Sequence, residues 1–268
     1  MNIQEVKIVI TDLKRKYGKI YSNIIWTDLT LHEIIEIYEN EKGLVLVVAE
    51  ENRNKIFYAA TDISILKELL MQIQRTAVLE YHYKDINDMD DVFLVAGLIH
   101  YANYIRVTST YLEKPCWGGS KRQDMLNELY NPDCGEYPVL EDVEELDQLT
   151  RTSFDPLIDD VFSLEEWKNI IQNKECFVIK ENGKIVTYYV WRREGKKLYS
   201  NMSLNLGPAN YMYNLERRVF ETMWNEGIRT FYAWYNEENT RAIKRGIFPE
   251  CARNNCIHDA IYINKKSE

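Results

Sequence analysis

The feature that most constrains the fold of this chain is a succession of elements that the sequence predicts twice, in residues 31–83 and in residues 163–235. Each region begins with an amphipathic helix, continues with strands joined by a polar turn, and ends with a helix and a further strand. Strands and helices that follow one another in this way are typical of an α/β or α+β domain. The repetition therefore predicts two similarly built halves.

The first region contains segments of clear helical or strand character. In residues 31–40, "LHEIIEIYEN", the spacing of Leu31, Ile34, Ile35 and Tyr38 predicts one apolar helix face. The next segments predict a strand, a strand, a helix and a strand, in the order "GLVLVVAE", "KIFYAA", "ISILKELLMQIQ" and "TAVLEYHY".

The second region carries stronger local signals. Ser163 is a predicted helix N-cap, and Glu166 completes a capping box with it. An Asn-Gly pair at 182–183, between "CFVIK" and "KIVTYYVWRR", strongly indicates a β-hairpin. The strand "KLYSNMSLN" then leads to a helix predicted at 215–225, which Gly227 ends. The strand "RTFYAWY", a short helix in "NEENTRAIK" and the strand "CIHDAIYI" complete the region.

We therefore predict an α/β (α+β) fold of two tandem lobes, each a mixed, mostly antiparallel sheet flanked by helices. The lobes are predicted at residues 1–112 and 138–268. The connecting segment, 113–137, is rich in turn-forming residues and is predicted to pack as a helix and a loop. Because the halves share a pattern and not identical residues, a chance similarity of two α+β halves is the alternative.

The composition predicts a globular protein, because 46% of the 268 residues are apolar and 28% are charged. No apolar run of about 18 residues could cross a bilayer, and the N-terminus lacks the order of regions that marks a signal peptide. We therefore expect a cytoplasmic protein without a membrane partner. The net charge of −9 argues against general nucleic-acid binding, because such proteins usually carry a basic surplus.

The cysteines and histidines do not predict a metal site. The five cysteines, an odd number, show no ligand spacing, and the four histidines are scattered along the chain. Buried, unreactive thiols are the expected state of the cysteines in a reducing compartment.

Two segments carry a resemblance to a known family: "FVIKENGKIVTYYVW" and "LERRVFETMWNEGIRTFYAWYNEENTRAIK". They resemble the GCN5-related N-acetyltransferase (GNAT) family, whose members move an acyl group from coenzyme A to an amine. Gly227-Ile228, the strand at 229–235 and the sequence Asn239-x-x-Ala242 follow in the family's order. The resemblance covers residues 138–264, and the N-terminal half resembles a degenerate copy of the same fold.

The resemblance implies that "GPANYM" occupies the place of the family's pyrophosphate loop, Q/R-x-x-G-x-G/A. Gly207 then stands at the Gln/Arg position, Asn210 at the first glycine and Met212 at the Gly/Ala position. Asparagine tolerates a positive φ better than other non-glycine residues, whereas Met212 is expected to crowd the backbone. The residues expected to hold the cofactor are Leu204, Asn205, Leu206, Gly207, Ala209, Asn210, Tyr211, Met212 and Asn239.

A second departure from the family lies after Asn239. In "NTRAIKRGIF" the segment is shortened, and the tyrosine that commonly protonates the departing thiolate has no counterpart. Tyr235, at the end of its strand, is the predicted replacement acid. Its strand and an earlier one are rich in aromatic residues, for which packing on the sheet is the simpler interpretation.

The strand before the loop places polar residues on one face, namely Tyr199, Asn201, Ser203 and Asn205. This face either lines a substrate cleft, with Ser203 as a catalytic residue near the thioester, or meets solvent. No carboxylate lies on this strand, so the sequence offers no obvious general base there.

Charged residues nearby allow two interpretations each. Arg217 and Arg218 either bind a coenzyme phosphate or lie on a solvated helix face. The acidic runs "LEDVEELD" and "DPLIDDVFSLEE" either solvate helices or line the acceptor side of the cleft, where they would favour a cationic amine.

The function that the sequence predicts is acyl transfer from acetyl-CoA or another acyl-CoA to an amine of a small molecule or peptide, by direct attack in a ternary complex. The alternative is a non-catalytic binding protein that retains the fold with a decayed cofactor loop. The oligomeric state and the identity of the acceptor are left open.

Overall fold

The computed structural model describes residues 1–114, 121–245 and 256–265. In this part of the chain all eleven strands belong to one sheet, and helices flank it on both faces. In chain order the elements are α1 (Ile3–Tyr17), β1 (Tyr21–Ser22), α2 (Trp26–Leu31), β2 (Glu33–Asn40), β3 (Gly43–Ala49), β4 (Asn54–Ala60), α3 (Ile63–Leu70), β5 (Ala77–Tyr83), α4 (Asp90–Val95), β6 (Ile99–Thr110), α5 (Lys121–Glu128), a 3₁₀ turn (Leu140–Asp142), α6 (Val143–Ser153), α7 (Leu164–Gln172), β7 (Cys176–Glu181), β8 (Lys184–Glu194), β9 (Lys197–Asn205), α8 (Ala209–Asn225), β10 (Thr230–Asn236), α9 (Thr240–Arg245) and β11 (Ile257–Asn264).

The predicted mixed, mostly antiparallel sheet is confirmed. Only β4–β5 and β9–β10 are parallel neighbours, and the other strand pairs are antiparallel. The strand order is β2-β3-β4-β5-β11-β6-β10-β9-β8-β7, with β1 beside β4. If β2 is exchanged with β7, β3 with β8, β4 with β9, β5 with β10 and β6 with β11, the result is the same strand order read from the other end. The two halves therefore have the same topology about the central β11–β6 pair.

The last strand of each half pairs with the other half. β11 lies between β5 and β6, and β10 pairs along its whole length with residues 104–110 of β6. One continuous sheet results. The division into two lobes, 1–112 and 138–268, joined by a segment at 113–137, stays a prediction. Because β6 and β11 each pair with strands of the other half, each half completes the sheet of the other.

The predicted helix at 31–40 is wrong, because most of this segment forms the edge strand β2. The register of β2 against β3 shifts between Ile34 and Glu36, which marks a β-bulge. Ile34 and Ile37 consequently pack against α1 on one face, and Ile35 and Tyr38 pack against α3 on the other. Because of the bulge, the apolar residues of this strand have a spacing in the sequence that is typical of a helix.

Local signals in the second region are confirmed. The Ser163 hydroxyl accepts the Glu166 N–H at 3.1 Å, and the Glu166 carboxylate accepts the Ser163 N–H at 2.9 Å. Asn182 and Gly183 both have positive φ, 52° and 78°, as a two-residue hairpin requires. Gly227, at φ 87°, follows α8 as predicted.

The described part of the connecting segment packs on α8. The Asn131 N–H donates to the side chain of Asn214, and Glu136 forms a β-bridge with Val178. Arg217 and Arg218 take part in this contact. The sequence suggested either binding of a coenzyme phosphate or a solvated helix face, and the contacts of these two residues correspond to neither. Arg217 donates to the side chain of Asn127 at 2.6 Å, and Arg218 donates to the Gly135 carbonyl at 2.7 Å. Both guanidinium groups therefore bind the connecting segment.

The described cysteines agree with the expectation of unreactive thiols. Cys176 and Cys256 are buried and Cys134 is half-buried, and burial raises the pKa of the Cys176 thiol. Cys116 and Cys251 lie outside the described residues. Among the described helices, none is both long enough and apolar enough to span a bilayer.

Candidate functional site

The parallel strands β9 and β10 separate after a short paired stretch. They pair from Lys197–Thr230 to Ser200–Ala233, and beyond that point β9 continues beside β8 while β10 continues beside β6. We call the space between residues 201–205 and 234–236 the β9–β10 gap. A gap of this kind exposes the backbone groups of both strands inside the protein.

A β-bulge lies at the point of separation. Val190 is opposite Met202 and Trp191 is opposite Ser200, so Asn201 is an additional residue on β9. The predicted single polar face is therefore wrong. Ser203 lies on the face covered by α8, opposite Tyr189, whereas Tyr199 lies on the other face and stacks on Tyr232 of β10.

The bulged strand directs backbone donors into the β9–β10 gap. The N–H of Leu206 donates to the Val186 carbonyl of β8 at 2.8 Å. Because the N–H groups of successive strand residues point to opposite edges, those of Ser203 and Asn205 point away from β8. A carbonyl oxygen that enters the gap would meet these groups.

A cavity of about 1010 Å³ opens at the β9–β10 gap and extends to residues of β11, β5 and β4, such as Asp259, His82 and Lys55. Ser203 and Tyr235, the predicted catalytic residues, line it together with Asn239. The other predicted cofactor residues do not line this cavity; they lie at the end of β9, in the loop after it and in the first turn of α8. Asn239 also caps α9, since its side chain accepts the Ala242 N–H at 3.0 Å.

The helix α8 begins at Ala209, six residues before the predicted start at 215. Asn210 is therefore helical and does not have a positive φ, so its tolerance of that conformation is not used. The side chain of Met212 is 1% exposed and packs in the core beneath α8, so it does not crowd the loop. Sequence reasoning missed this start because Pro208 and the polar residues after it resemble a loop.

The short loop before α8 is organised by Asn205. Its side chain accepts the Thr187 hydroxyl at 2.7 Å and the Gly207 N–H at 3.2 Å, and it donates to the Pro208 carbonyl at 3.1 Å. Gly207 is required by packing, because a Cβ atom would lie 2.8 Å from the Tyr211 ring. Leu206 is exposed at the tip of this loop.

The first turn of α8 has features of an anion site. Pro208 occupies the N-cap position without a side-chain capping bond, and no acidic residue lies in the first turn. The first N–H groups of a helix have no intrahelical partner and carry the positive end of the helix dipole. The Glu181 carboxylate accepts the hydroxyl of Tyr211, a residue of this turn, at 2.7 Å.

The equivalent place in the N-terminal half is closed. There the helix α3 follows β4, and the Asp62 carboxylate caps its Ile65 N–H at 3.0 Å. The parallel strands β4 and β5 share the single pair Lys55–Val78, and the side chain of Asn23 bridges the space beyond it. Among the described residues, the combination of an uncapped helix start and an open gap occurs in the C-terminal half alone.

The part of the cavity next to β4 and β5 contains an ion-pair network, which is formed by Arg53, Lys55, Glu50, Glu80 and Asp160. Arg53 contacts the carboxylates of Glu50, Glu80 and Asp160 at 2.9, 3.0 and 3.1 Å. Lys55 contacts Glu80 at 2.7 Å. Although burial alone would raise the pKa of Glu80, the charges of Lys55 and Arg53 hold it below its ordinary value.

His82 and Asp259 lie beside this network. Their ligand-type atoms and those of Glu80 all lie within 4.8 Å of one another, close enough to consider a metal ion. However, the two oxygens of Glu80 already bind Arg53 and Lys55. The group is therefore explained as an ion-pair network, and we assign no metal to it.

The acidic run "DPLIDDVFSLEE" lines the cavity through Asp159, Asp160 and Glu166. Part of this run therefore lines a cleft, and Glu166 also caps α7; a role in binding an amine stays a prediction. The segment after α9, which includes Gly246 and Phe248, lies outside the described residues.

The fold is similar to that of known acetyltransferases. A GCN5-related N-acetyltransferase from Sphaerobacter thermophilus matches with a TM-score of 0.54 and 11% identity, over 83% of this chain and 76% of that one. This chain has a GNAT-like fold. No protein-family profile and no curated protein matches the sequence.

Other solved structures match the GNAT-like fold less closely. A putative GNAT acetyltransferase from Novosphingobium aromaticivorans has a TM-score of 0.49 and 13% identity, over 83% of this chain and 89% of that one. A GNAT acetyltransferase from Colwellia psychrerythraea has a TM-score of 0.45 and 10% identity, over 92% and 100%. At these identities the likeness concerns the fold and not the substrate.

Proposed function

We propose that this protein transfers an acyl group from acetyl-CoA or another acyl-CoA to an amine of a small molecule or peptide, by direct attack in a ternary complex. The observation that carries the proposal is the β9–β10 gap, which opens beside an uncapped helix start. The GNAT-like fold supports it, since the gap and the helix occur where that fold would present a thioester.

The cofactor would bind along β9 and the start of α8. The N–H groups of Ala209 and Asn210 would hold the pyrophosphate, because a helix start favours an anion. The backbone N–H groups of Ser203 and Asn205 would bind the thioester carbonyl and its developing negative charge. Tyr235 remains the proposed acid for the departing thiolate, with the Ser203 side chain beside the thioester and Asn239 on the cofactor arm.

The acceptor amine would enter from the side of the N-terminal half. Acidic residues outnumber basic ones in the lining of the cavity on that side. A negative potential attracts cations, so a protonated amine would be concentrated there. The predicted cytoplasmic location and the predicted lack of nucleic-acid binding are kept as part of this proposal.

Calorimetric titration with acetyl-CoA and CoA tests the proposal. We expect binding in the micromolar range, weakened at least about tenfold in Asn210→Asp, because the new carboxylate repels the pyrophosphate. The substitution itself suits the first turn of a helix, so the fold should be retained. Asn225→Asp, which adds the same charge at the other end of α8, is the matched control and should bind normally.

Absence of binding up to millimolar acetyl-CoA and CoA would contradict the proposal. That result would favour the alternative, a binding protein that retains the fold without the chemistry. Equal weakening by Asn210→Asp and Asn225→Asp would show that net charge, and not the helix start, determines affinity.

Removing the charge of Glu181 should strengthen acyl-CoA binding. Glu181 accepts the hydroxyl of Tyr211, the third residue of α8, and therefore lies close to the proposed phosphate site. We expect Glu181→Gln to increase the affinity for CoA about two- to fivefold at low ionic strength, and less at high salt. Glu194→Gln is the control, because Glu194 also accepts a tyrosine hydroxyl but lies at the far end of β8.

A further inference from the structure

We propose that His82 and Asp259 form the receiving site for the acceptor, in which Asp259 binds the ammonium group of a primary amine and His82 removes its proton. This inference rests on the proposed acyl transfer. It supplies the general base that the sequence of β9 lacks.

The two residues form a pair across neighbouring strands. Asp259 of β11 lies directly opposite His82 of β5, and the His82 Nε2 is 3.5 Å from the Asp259 Oδ2. Both side chains line the cavity. A carboxylate at Nε2 favours the tautomer with its proton on that nitrogen, which leaves Nδ1 to accept a proton.

One carboxylate oxygen of Asp259 is able to accept a hydrogen bond that none of the described residues donates. The residue is only 8% exposed, and among the described residues its Oδ1 has no hydrogen-bond partner. A buried carboxylate oxygen without a donor is costly. An ammonium group that enters the cavity has three N–H donors and would satisfy this oxygen.

The pair lies next to the place where the thioester would be held. The His82 ring stacks on Trp234, with 5.5 Å between ring centroids. Trp234 directly follows Ala233, the last residue of β10 that pairs with β9. The imidazole of His82, the proposed proton acceptor, therefore contacts the Trp234 side chain at the opening of the β9–β10 gap.

The charges around His82 suit a base that works near neutral pH. Asp259 raises the pKa of His82, burial opposes this, Glu80 raises it further and Lys55 lowers it. On the β6 side, Arg106 lies 5.6 Å from the Trp234 ring on which His82 stacks. Glu80 and Lys55 form an ion pair with each other, so Asp259 is the partner that determines the state of the imidazole.

The step balances in atoms and charge. The ammonium gives one proton to His82, and the neutral nitrogen attacks the thioester carbonyl, forming the C–N bond and a tetrahedral oxyanion. The C–S bond then breaks, Tyr235 gives its proton to the departing thiolate, and Tyr235 takes up the second proton of the nitrogen. His82 returns its proton to water in the cavity, so the products are an amide, free CoA and one proton.

Kinetics with two probe amines, spermidine and the side chain of Nα-acetyl-lysine amide, test the proposal with acetyl-CoA as donor. We expect His82→Gln and Asp259→Asn to lower the transfer rate about 100-fold or more at pH 7, while the affinity for acetyl-CoA changes less than about twofold. The rise of the wild-type rate with pH through the histidine range should be absent in His82→Gln. His100→Gln, at an exposed histidine, is the matched control.

Histidine NMR provides a readout that does not depend on turnover. The His82 signal, assigned by its loss in His82→Gln, should titrate above the ordinary pKa of about 6.5. In Asp259→Asn this pKa should fall, and spermidine should shift the signal in the wild type but not in Asp259→Asn.

The outcomes separate the two proposals. Failure of the wild type to bind acetyl-CoA overturns the proposed function, whereas the amine response of His82 still reports on the receiving site. Transfer that persists within threefold in His82→Gln, or a His82 signal indifferent to both amines, overturns the receiving site alone.

Discussion

Replacing Arg53 by methionine is expected to lower the free energy of unfolding by about 3–5 kcal/mol. The Arg53 side chain is 6% exposed and contacts three carboxylates. It also donates to the Leu157 carbonyl at 3.0 Å, which joins the turn between β3 and β4 to the segment before α7. Methionine keeps the apolar stem but leaves Glu50 and Glu80 with too little positive charge.

The surrounding carboxylates stabilise the charged form of the Arg53 guanidinium, as the direction of its pKa shift indicates. Burial alone would lower the pKa, but the carboxylates of Glu80, Asp160 and Glu50 raise it above the ordinary value. Arg193→Met is the matched control, because Arg193 forms an exposed pair with Glu226 at 3.1 Å. That substitution should change stability by less than about 1 kcal/mol. Denaturant unfolding monitored by fluorescence measures both values.

The pH dependence gives a second check on the network. The folded-state pKa of Glu80 is lowered, so its stabilising contribution is complete above its ordinary value of 4.5 and is lost as the pH falls through the lowered pKa. The difference between wild type and Arg53→Met should therefore shrink in acid. The double variant Arg53→Met/Glu80→Gln should recover part of the loss at pH 7. A loss that is the same at all pH values would contradict the electrostatic explanation.

Replacing Asn23 by alanine is expected to destabilise the protein by about 2–5 kcal/mol. The Asn23 side chain accepts the Tyr58 N–H at 2.8 Å and donates to the Ile56 carbonyl at 3.0 Å. Both backbone groups belong to β4 where it separates from β5. Alanine leaves them without partners in a partly buried place, at about 1–3 kcal/mol for each group.

Asn40→Ala is the control for the loss of an asparagine. Its side chain accepts the Lys42 N–H at the exposed end of β2, so we expect a change below about 1 kcal/mol. Thermal and denaturant unfolding measure both variants. Equal effects of the two substitutions would show that the bridge across β4 and β5 contributes nothing special. Acetyl-CoA affinity should stay unchanged, because Asn23 lies in the other half from α8.

The parts of the fold that depend on local signals could be predicted from the sequence. The capping box at Ser163, the turn at 182–183 and Gly227 each depend on residues within a few positions of one another. The predictions failed where pairing between strands decided the outcome. The bulges at Ile34 in β2 and Asn201 in β9 become visible only when the partner strand is known.

The receiving site could not be predicted for the same reason. His82 and Asp259 are far apart in the chain and become neighbours only because β11 pairs with β5. A weak signal was present, since Asp259 is a single carboxylate within the apolar strand "CIHDAIYI", and Glu80 and His82 share one face of "TAVLEYHY". Neither strand indicates its partner.

The exchanged strands also set an order of events during synthesis. The ribosome synthesises β5 and β6 before β11, although β11 lies between them in the sheet. The middle of the sheet therefore stays incomplete until β11 has been synthesised, and the contacts that close it join distant parts of the chain, which favours slow folding. Because Asp259 lies on that strand, a nascent chain would acquire the proposed receiving site only after β11 has joined the sheet.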